Sequence, residues 1–195
     1  MFNGLIYNIG KIISIKKKPN SLLIGIQTNL NFKKKDLGSS VSCNGVCLTI
    51  TIIKKKIIFF YVSKETLNRS NFKFLKIGNS INIEKSLKYG QKISGHFVQG
   101  HVDSTATVKK IEFIDKSWRI KFELKEKKLA KLLIEKASIS INGVSLTISK
   151  VKEPLFEISV IPHTLKLTNL KDLKISSIVN VELDMIGKYI LKISK

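Results

Sequence analysis

Arginine, cysteine, tryptophan and proline are nearly missing from this chain. Only Arg69 and Arg119 carry a guanidinium, although the formal charge is +21. Arginine is the side chain suited to bidentate phosphate and base contacts, so its scarcity weakens a nucleic-acid reading that the charge alone invites. The basic residues are lysines in short scattered runs (Lys16–Lys18, Lys33–Lys35, Lys54–Lys56), which read as a solvated surface. Aromatics are 8% of the chain, too few for the stacking platforms along which single-stranded nucleic acid is bound. No stretch approaches the roughly 20 apolar residues of a membrane-spanning helix. No basic start runs into an apolar segment, so no signal peptide is expected. Neither a P-loop nor a Gly-x-Gly-x-x-Gly phosphate fingerprint is present.

Cys43 and Cys47 are the only cysteines. Read as one strand, they face the same side roughly 13 Å apart at about 3.3 Å per residue. A disulfide needs alpha carbons within about 7 Å. Both should therefore be reduced thiols, which suits a cytoplasmic protein.

What the sequence does contain is itself, twice. Asn44-Gly45-Val46-Cys47-Leu48-Thr49-Ile50 returns as Asn142-Gly143-Val144-Ser145-Leu146-Thr147-Ile148, an offset of 98 positions. The same offset pairs Val62 and Thr66-Leu67 with Val160 and Thr164-Leu165, Leu75-Lys76-Ile77 with Leu173-Lys174-Ile175, and Asn82-Ile83-Glu84 with Asn180-Val181-Glu182. Near the start, Gly4-Leu5-Ile6 aligns with Gly100-His101-Val102 at an offset of 96. So long a period excludes a solenoid and implies two copies of one small domain, over residues 1–96 and 97–184, followed by a tail.

Each copy reads as short strands. Gly38–Ile53, Ile57–Val62 and Ser80–Glu84 are rich in Val, Ile, Thr and Phe, and Ser138–Ser149, Phe156–Ile161 and Ser177–Glu182 repeat them. This predicts an all-β protein of small antiparallel barrels or sandwiches. Helical signals are short. Lys127–Lys136 puts Leu129, Leu132 and Leu133 on one face; Ser63–Leu67 and Pro162–Leu165 suit single turns; and Met185–Lys195 aligns Ile186, Tyr189, Ile190 and Ile193 along one side.

The repeated Asn-Gly segment is the most informative for chemistry. Asn-Gly is a tight-turn pair, and the strand after it sends Cys47 and Thr49 to one face, with Val46 and Leu48 on the other. Ser145 and Thr147 repeat the arrangement. Two related pockets suit two copies of one ligand. His96 and His101 lack the spacing and the neighbours of a metal pair, so no metal is expected. His101 stands at the repeat partner of Leu5, so one copy gained an ionisable group suited to acid–base work. His163 lies beside the Thr164 turn and reads as a surface residue.

Met1-Phe2-Asn3-Gly4-Leu5-Ile6, Ser42–Thr49, Lys64-Glu65-Thr66-Leu67, Ser94-Gly95-His96-Phe97-Val98-Gln99-Gly100-His101-Val102 and Asn142–Thr147 together resemble riboflavin synthase over essentially the whole chain. The resemblance implies two tandem six-stranded Greek-key antiparallel barrels and a short C-terminal helix, residues 185–195, that holds a homotrimer. It implies a dismutation of two molecules of 6,7-dimethyl-8-ribityllumazine, in which a four-carbon unit passes from one to the other to give riboflavin and 5-amino-6-(ribitylamino)uracil. No cofactor is implied, and no nucleic-acid or membrane partner; lumazine synthase is a protein partner consistent with the family. The site would be shared between subunits. By the same resemblance His101, Ser145, Cys47, Thr147, Ser40 and Asp184 would be catalytic, with His101 as proton shuttle. Substrate would meet Gly4, Leu5 and Ile6; Cys47, Leu48 and Thr49; Tyr61, Val62, Ser63, Lys64, Glu65 and Thr66; Gly100, His101 and Val102; Lys136; Ser145, Leu146 and Thr147; and Ser159, Val160, Ile161, Pro162, His163 and Thr164. Asn3 departs from the family's usual threonine. A chromophore carrier that had lost turnover would need only one working pocket, whereas both polar sets are present here.

Overall fold

The chain folds, in a computed structural model that describes residues 1–194, into two closed six-stranded barrels. The first is built from β1 (Asn8–Lys18), β2 (Ser21–Gln27), β3 (Ser40–Cys43), β4 (Val46–Lys54), β5 (Ile57–Ser63) and β6 (Ser80–Lys85). Its strands run in the spatial order β1-β2-β5-β4-β3-β6, with β6 closing on β1. The second repeats this with β7 (Ser104–Ile114), β8 (Ser117–Leu124), β9 (Ser138–Ile141), β10 (Val144–Lys152), β11 (Leu155–Val160) and β12 (Ile178–Leu183). The order around it is the same, and every pairing in both barrels is antiparallel.

Alternation along each strand separates inside from outside. On β4, Val46, Leu48 and Ile50 are buried while Cys47 is half-buried and Thr49 exposed. The first interior is filled by residues such as Ile12, Ile24, Ile26, Phe60 and Phe72, and the second by Val108, Ile120, Phe122 and Phe156. Bulges bend corresponding strands at corresponding places: β1 at Ile12–Ser14 and β7 at Val108–Lys110, β4 at Ile50–Ile52 and β10 at Ile148–Lys150. Such bulges sharpen the twist that lets a small sheet close on itself.

The run Gly38–Ile53 is two strands, not one, because Asn44 and Gly45 both take positive φ (47° and 75°) and turn the chain into a tight hairpin. Cys43 and Cys47 therefore lie on neighbouring strands; Cys43 points into the core and Cys47 outward, and both are free thiols. Lys127–Lys136 is also shorter than its periodicity suggests. Only a 3₁₀ turn forms, over Lys127–Leu132. Lys136 then adopts φ of 69° and donates its N–H to the Ile148 carbonyl, drawing the chain back to the barrel. The single-turn signals become α1 (Lys64–Arg69), capped by Ser63, and α2 (Pro162–Leu167), with proline at its first position. The tail forms α3 (Met185–Ile193), capped by Asp184 and tied down by a Lys188–Asp103 ion pair. Lys195, the last residue of the expected helix, lies outside the described residues. No helix among the described residues is long and apolar enough to cross a membrane.

The barrels meet about a pseudo-twofold axis made of asparagines. Asn82 accepts with Oδ1 from the Asn169 backbone N–H and donates with Nδ2 to the Asn142 carbonyl. Asn180 mirrors it, accepting from the Asn71 backbone N–H and donating to the Asn44 carbonyl. Asn82 and Asn180 are 1% exposed, so each amide replaces its lost hydration with two cross-barrel bonds. The two Asn-Gly turns touch here: a Cβ on Gly45 would lie 2.7 Å from the Gly143 nitrogen, and the reverse contact is also 2.7 Å. Glycine is required at both places for the backbones to come this close.

Candidate active site

The segments that precede each barrel cross over. Residues 4–7 lead into the first barrel but lie against the second, and residues 100–102 lead into the second but lie against the first. Phe2 and Val98 exchange backbone hydrogen bonds of 2.7 and 3.1 Å where the segments pass. Ile6 then joins the core cluster of the second barrel, and Val102 packs on that of the first.

Each crossing lays a glycine on the outward-facing residue after an Asn-Gly turn. Ser145 N–H donates to the Gly4 carbonyl at 2.8 Å, and Cys47 N–H donates to the Gly100 carbonyl at 2.8 Å. Gly4 and Gly100 have φ of 73° and 80°, and a Cβ on either would come within 2.6 Å of the Ser145 or Cys47 Cβ. The result is a matched pair of clefts. One, of about 200 Å³, is lined by Val46, Cys47, Glu65, Thr66, Arg69, Ser70 and Gly100–Val102. The other, of about 110 Å³, is lined by Gly4–Tyr7, Val144, Ser145, His163, Thr164, Leu167 and Thr168. Three larger openings lie elsewhere. A groove of about 380 Å³ between the barrels is lined mainly by amides and hydroxyls, one of about 410 Å³ beside β3 is rich in lysine, and one of about 310 Å³ is lined by charged groups that include Arg69, Asp103, Lys125 and Glu126. None of them contains a histidine or a cysteine.

The two clefts share a backbone plan but differ in side chains. Cys47 answers to Ser145, Glu65 to His163, and His101 to Leu5. The Ser145 cleft has one further group. His96 Nδ1 lies 2.7 Å from Ser145 Oγ. Burial lowers the His96 pKa, opposed by the nearby Asp184 carboxylate, so the ring is neutral at neutral pH and can accept the Oγ proton. A nucleophile in contact with a base, with a carboxylate in electrostatic reach, is the geometry that activates a hydroxyl. The loop bearing His96 is anchored by Asn3, whose Oδ1 accepts the Ser94 and Gly95 N–H groups at 2.9 and 2.8 Å.

The structure thus distributes the sequence-predicted residues between two places. Gly4, Leu5, Ile6, Ser145, His163 and Thr164 meet in one cleft; Cys47, Glu65, Thr66, Gly100, His101 and Val102 meet in the other. His101 and Ser145 do not meet within one chain. Leu48, Val62 and Val160 are buried in the barrel cores, and Leu146 packs against the second. Thr49 and Thr147 are exposed on strands paired with Ser40 and Ser138. Ser40 lines the lysine-rich opening beside β3. Tyr61, Lys64, Lys136, Ser159, Ile161 and Pro162 are exposed, and Ser63 caps α1 with its Oγ accepting Thr66 N–H. Asp184 caps α3, accepting the Ile186 N–H at 2.9 Å. His96 was not among the expected site residues. It precedes the second copy where the first copy has no counterpart, so comparing the repeats cannot find it.

The lumazine binding domain family matches the chain twice, over residues 3–86 and 99–184. The chain is 38% identical to the riboflavin synthase of Bacillus subtilis (strain 168), over 98% of its own length and 89% of that protein's. It is 35% identical to the riboflavin synthase of Escherichia coli (strain K12), over 94% and 87%. It also superposes on the crystal structure of LumP complexed with riboflavin, with a TM-score of 0.82 at 28% identity, covering 94% of this chain and 99% of that one. Two lumazine-binding domains in tandem, matched along nearly their whole length to riboflavin synthases, place this chain in the riboflavin synthase family.

Proposed function

We propose that the chain converts two molecules of 6,7-dimethyl-8-ribityllumazine to riboflavin and 5-amino-6-(ribitylamino)uracil in the cytoplasm, at sites formed where the Cys47 cleft of one subunit faces the Ser145 cleft of another. The observation that carries this reading is the pair of matched clefts with unmatched chemistry. Two like substrates in different roles need two like pockets with different side chains. Clefts of about 110 and 200 Å³ are each smaller than the roughly 300–1,000 Å³ of ordinary ligand pockets, so facing them across a subunit boundary supplies the missing enclosure. Holding two lumazines face to face can itself contribute about 7–11 kcal/mol of rate acceleration.

In this arrangement the Ser145–His96 pair supplies an activated hydroxyl, or a water held by it, to the ring carbon of one lumazine. His101, from the facing cleft, shuttles the proton lost from the methyl of the other. Cys47 and Thr66 line the second ring, and Asp184 holds the His96 side of the site by charge. The outer face of α3 suits a trimer: Ile186, Tyr189, Ile190 and Ile193 are 64, 62, 62 and 82% exposed along one stripe, an apolar surface that a free helix does not leave in water.

The experiment is incubation of the purified protein with 6,7-dimethyl-8-ribityllumazine alone, with riboflavin followed by absorbance and chromatography. One riboflavin and one aminouracil per two lumazines is the expected yield, with specific activity falling on dilution as the shared site comes apart. Tight binding without conversion at any protein concentration would instead describe a carrier of the ligands seen on LumP.

A further inference from the structure

Two carboxylates withdrawn from solvent have no part in the proposed reaction. Half-buried Glu84 lies one residue from the end of β6 in the first barrel, and buried Glu182 one residue from the end of β12 in the second; they are the same position of the repeat. Neither faces a lysine or arginine at ion-pair distance among the described residues. Each spends its oxygens on backbone instead. Glu84 Oε1 accepts from Asn3 N–H at 2.7 Å and Oε2 from Gly4 N–H at 3.0 Å. Glu182 Oε1 accepts from Gln99 N–H at 2.6 Å, and Oε2 from Gly100 and His101 N–H at 2.8 and 3.0 Å. Burial raises the pKa of both, against the pull of these N–H donors. A carboxylate is kept in such a place only if its hydrogen bonds do something a neutral, apolar side chain cannot.

What they hold are the crossing segments. We propose that Glu84 and Glu182 are positioning residues wired crosswise, each rooted in one barrel and setting the wall of the cleft on the other. Glu182, in the second barrel, fixes Gly100 and His101 over Cys47. Glu84, in the first, fixes Asn3 and Gly4, and so sets Gly4 over Ser145. Backbone N–H groups gathered on a carboxylate form a rigid, charge-assisted clamp, and the glycine carbonyl one step along then accepts the amide of Cys47 or Ser145. The inference deepens the two-cleft reading and rests on it for its catalytic meaning. The crossing itself can be tested without substrate.

The two cleft amides report directly. Cys47 N–H is protected by the Gly100 carbonyl and Ser145 N–H by the Gly4 carbonyl, so hydrogen exchange at these two sites, read by NMR on the full chain, measures each clamp. Glu182→Gln puts an NH₂ group against backbone donors. It is expected to speed Cys47 exchange about tenfold or more through local opening while leaving Ser145 within about twofold. Glu84→Gln should do the reverse. The direction is unusual, because Glu84 is cross-strand partner to Ser42, which also pairs with Cys47; ordinary propagation through the sheet would make Glu84→Gln the variant that disturbs Cys47. That uncrossed pattern overturns the proposal, as does equal acceleration of both amides in both variants or no change in either. If a Gln variant does not fold, the corresponding Asp variant, which keeps the charge but withdraws it by one methylene, is read in the same way. Alkylation of the half-buried Cys47 thiol provides a second readout, rising in the Glu182 variant alone. Turnover of ribityllumazine then tests the catalytic consequence separately: a crossed exchange pattern with no activity even in the parent chain would leave the clamps standing and remove the proposed reaction.

Discussion

The two clefts share one backbone plan and carry different side chains. In both, a crossing segment brings a left-handed glycine onto the outward-facing residue after an Asn-Gly turn, and a glutamate from the opposite barrel bonds the backbone of that segment. These features are held in common by backbone hydrogen bonds that tolerate little change. The side chains they present are not held in common: cysteine against serine, glutamate against histidine, histidine against leucine. Symmetry here belongs to the scaffold and asymmetry to the chemistry, as expected when two identical substrates must leave as two different products.

The most severe way to break the comparison is to attack what the clefts share. Gly143→Ala places a Cβ against the Gly45 backbone in a conformation with φ of 80°. No flexible side chain is available to give way, so the turns must part and the asparagine bonds around them must stretch. Strain plus broken buried bonds should cost at least about 3 kcal/mol, a large part of the roughly 5–15 kcal/mol by which a folded domain is ordinarily stable. Chemical unfolding of the variant checks it. Gly78→Ala is the control: it also has positive φ, but nothing lies within 4 Å of the added Cβ, so it should bear the backbone strain alone.

A gentler break leaves the scaffold intact and removes one cleft's chemistry. His96→Gln should lower kcat on the order of 10²-fold, the range of general acid–base catalysis, with KM changed far less. Ser145→Ala should match it, and the double variant should be no worse than the worse single one, because the two act as a unit. His101→Gln belongs to the other cleft, so combining it with Ser145→Ala should compound the losses. Additivity between His96 and Ser145 would show that their 2.7 Å contact is structural only.

How much of this was legible beforehand follows the same division. The scaffold was readable, because duplication doubles every signal: Asn-Gly turns, alternating Val, Ile and Thr, and the Asn-x-Glu strand ends all occur twice at a constant offset. The asymmetric chemistry was half readable. His101 stands out because it replaces Leu5, whereas His96 has no counterpart and is brought to Ser145 only by the crossing of the segments. That crossing leaves no mark in local periodicity, since it depends on which barrel a strand-free segment rests against. Glu84 and Glu182 were visible as a repeated pair, but a glutamate at a strand end ordinarily faces water. Only the tertiary structure shows that these two face backbone.

The smallest expected effect sharpens the comparison between the glutamates and concerns the sign of a pH dependence. Burial pushes Glu84 up to about 7, from an ordinary value of 4.5, and the N–H groups of Asn3, Gly4 and Leu5 together with the N-terminal charge only partly oppose it. The folded chain then binds a proton that the unfolded chain has already released between those two values. Stability contributed by this group is therefore complete below about 4.5 and is lost as pH rises through about 7. Measured as the difference in unfolding free energy between the parent and Glu84→Gln, so that Glu182 and the lysines cancel, the parent's relative stability should decline across that window and be flat on either side. A relative stability that rises with pH would mean that the backbone donors outweigh burial and hold the carboxylate ionised. The clamp on the Ser145 cleft would then be at full strength throughout the neutral range, and the two glutamates would differ only in the number of backbone donors each gathers, two on Glu84 and three on Glu182.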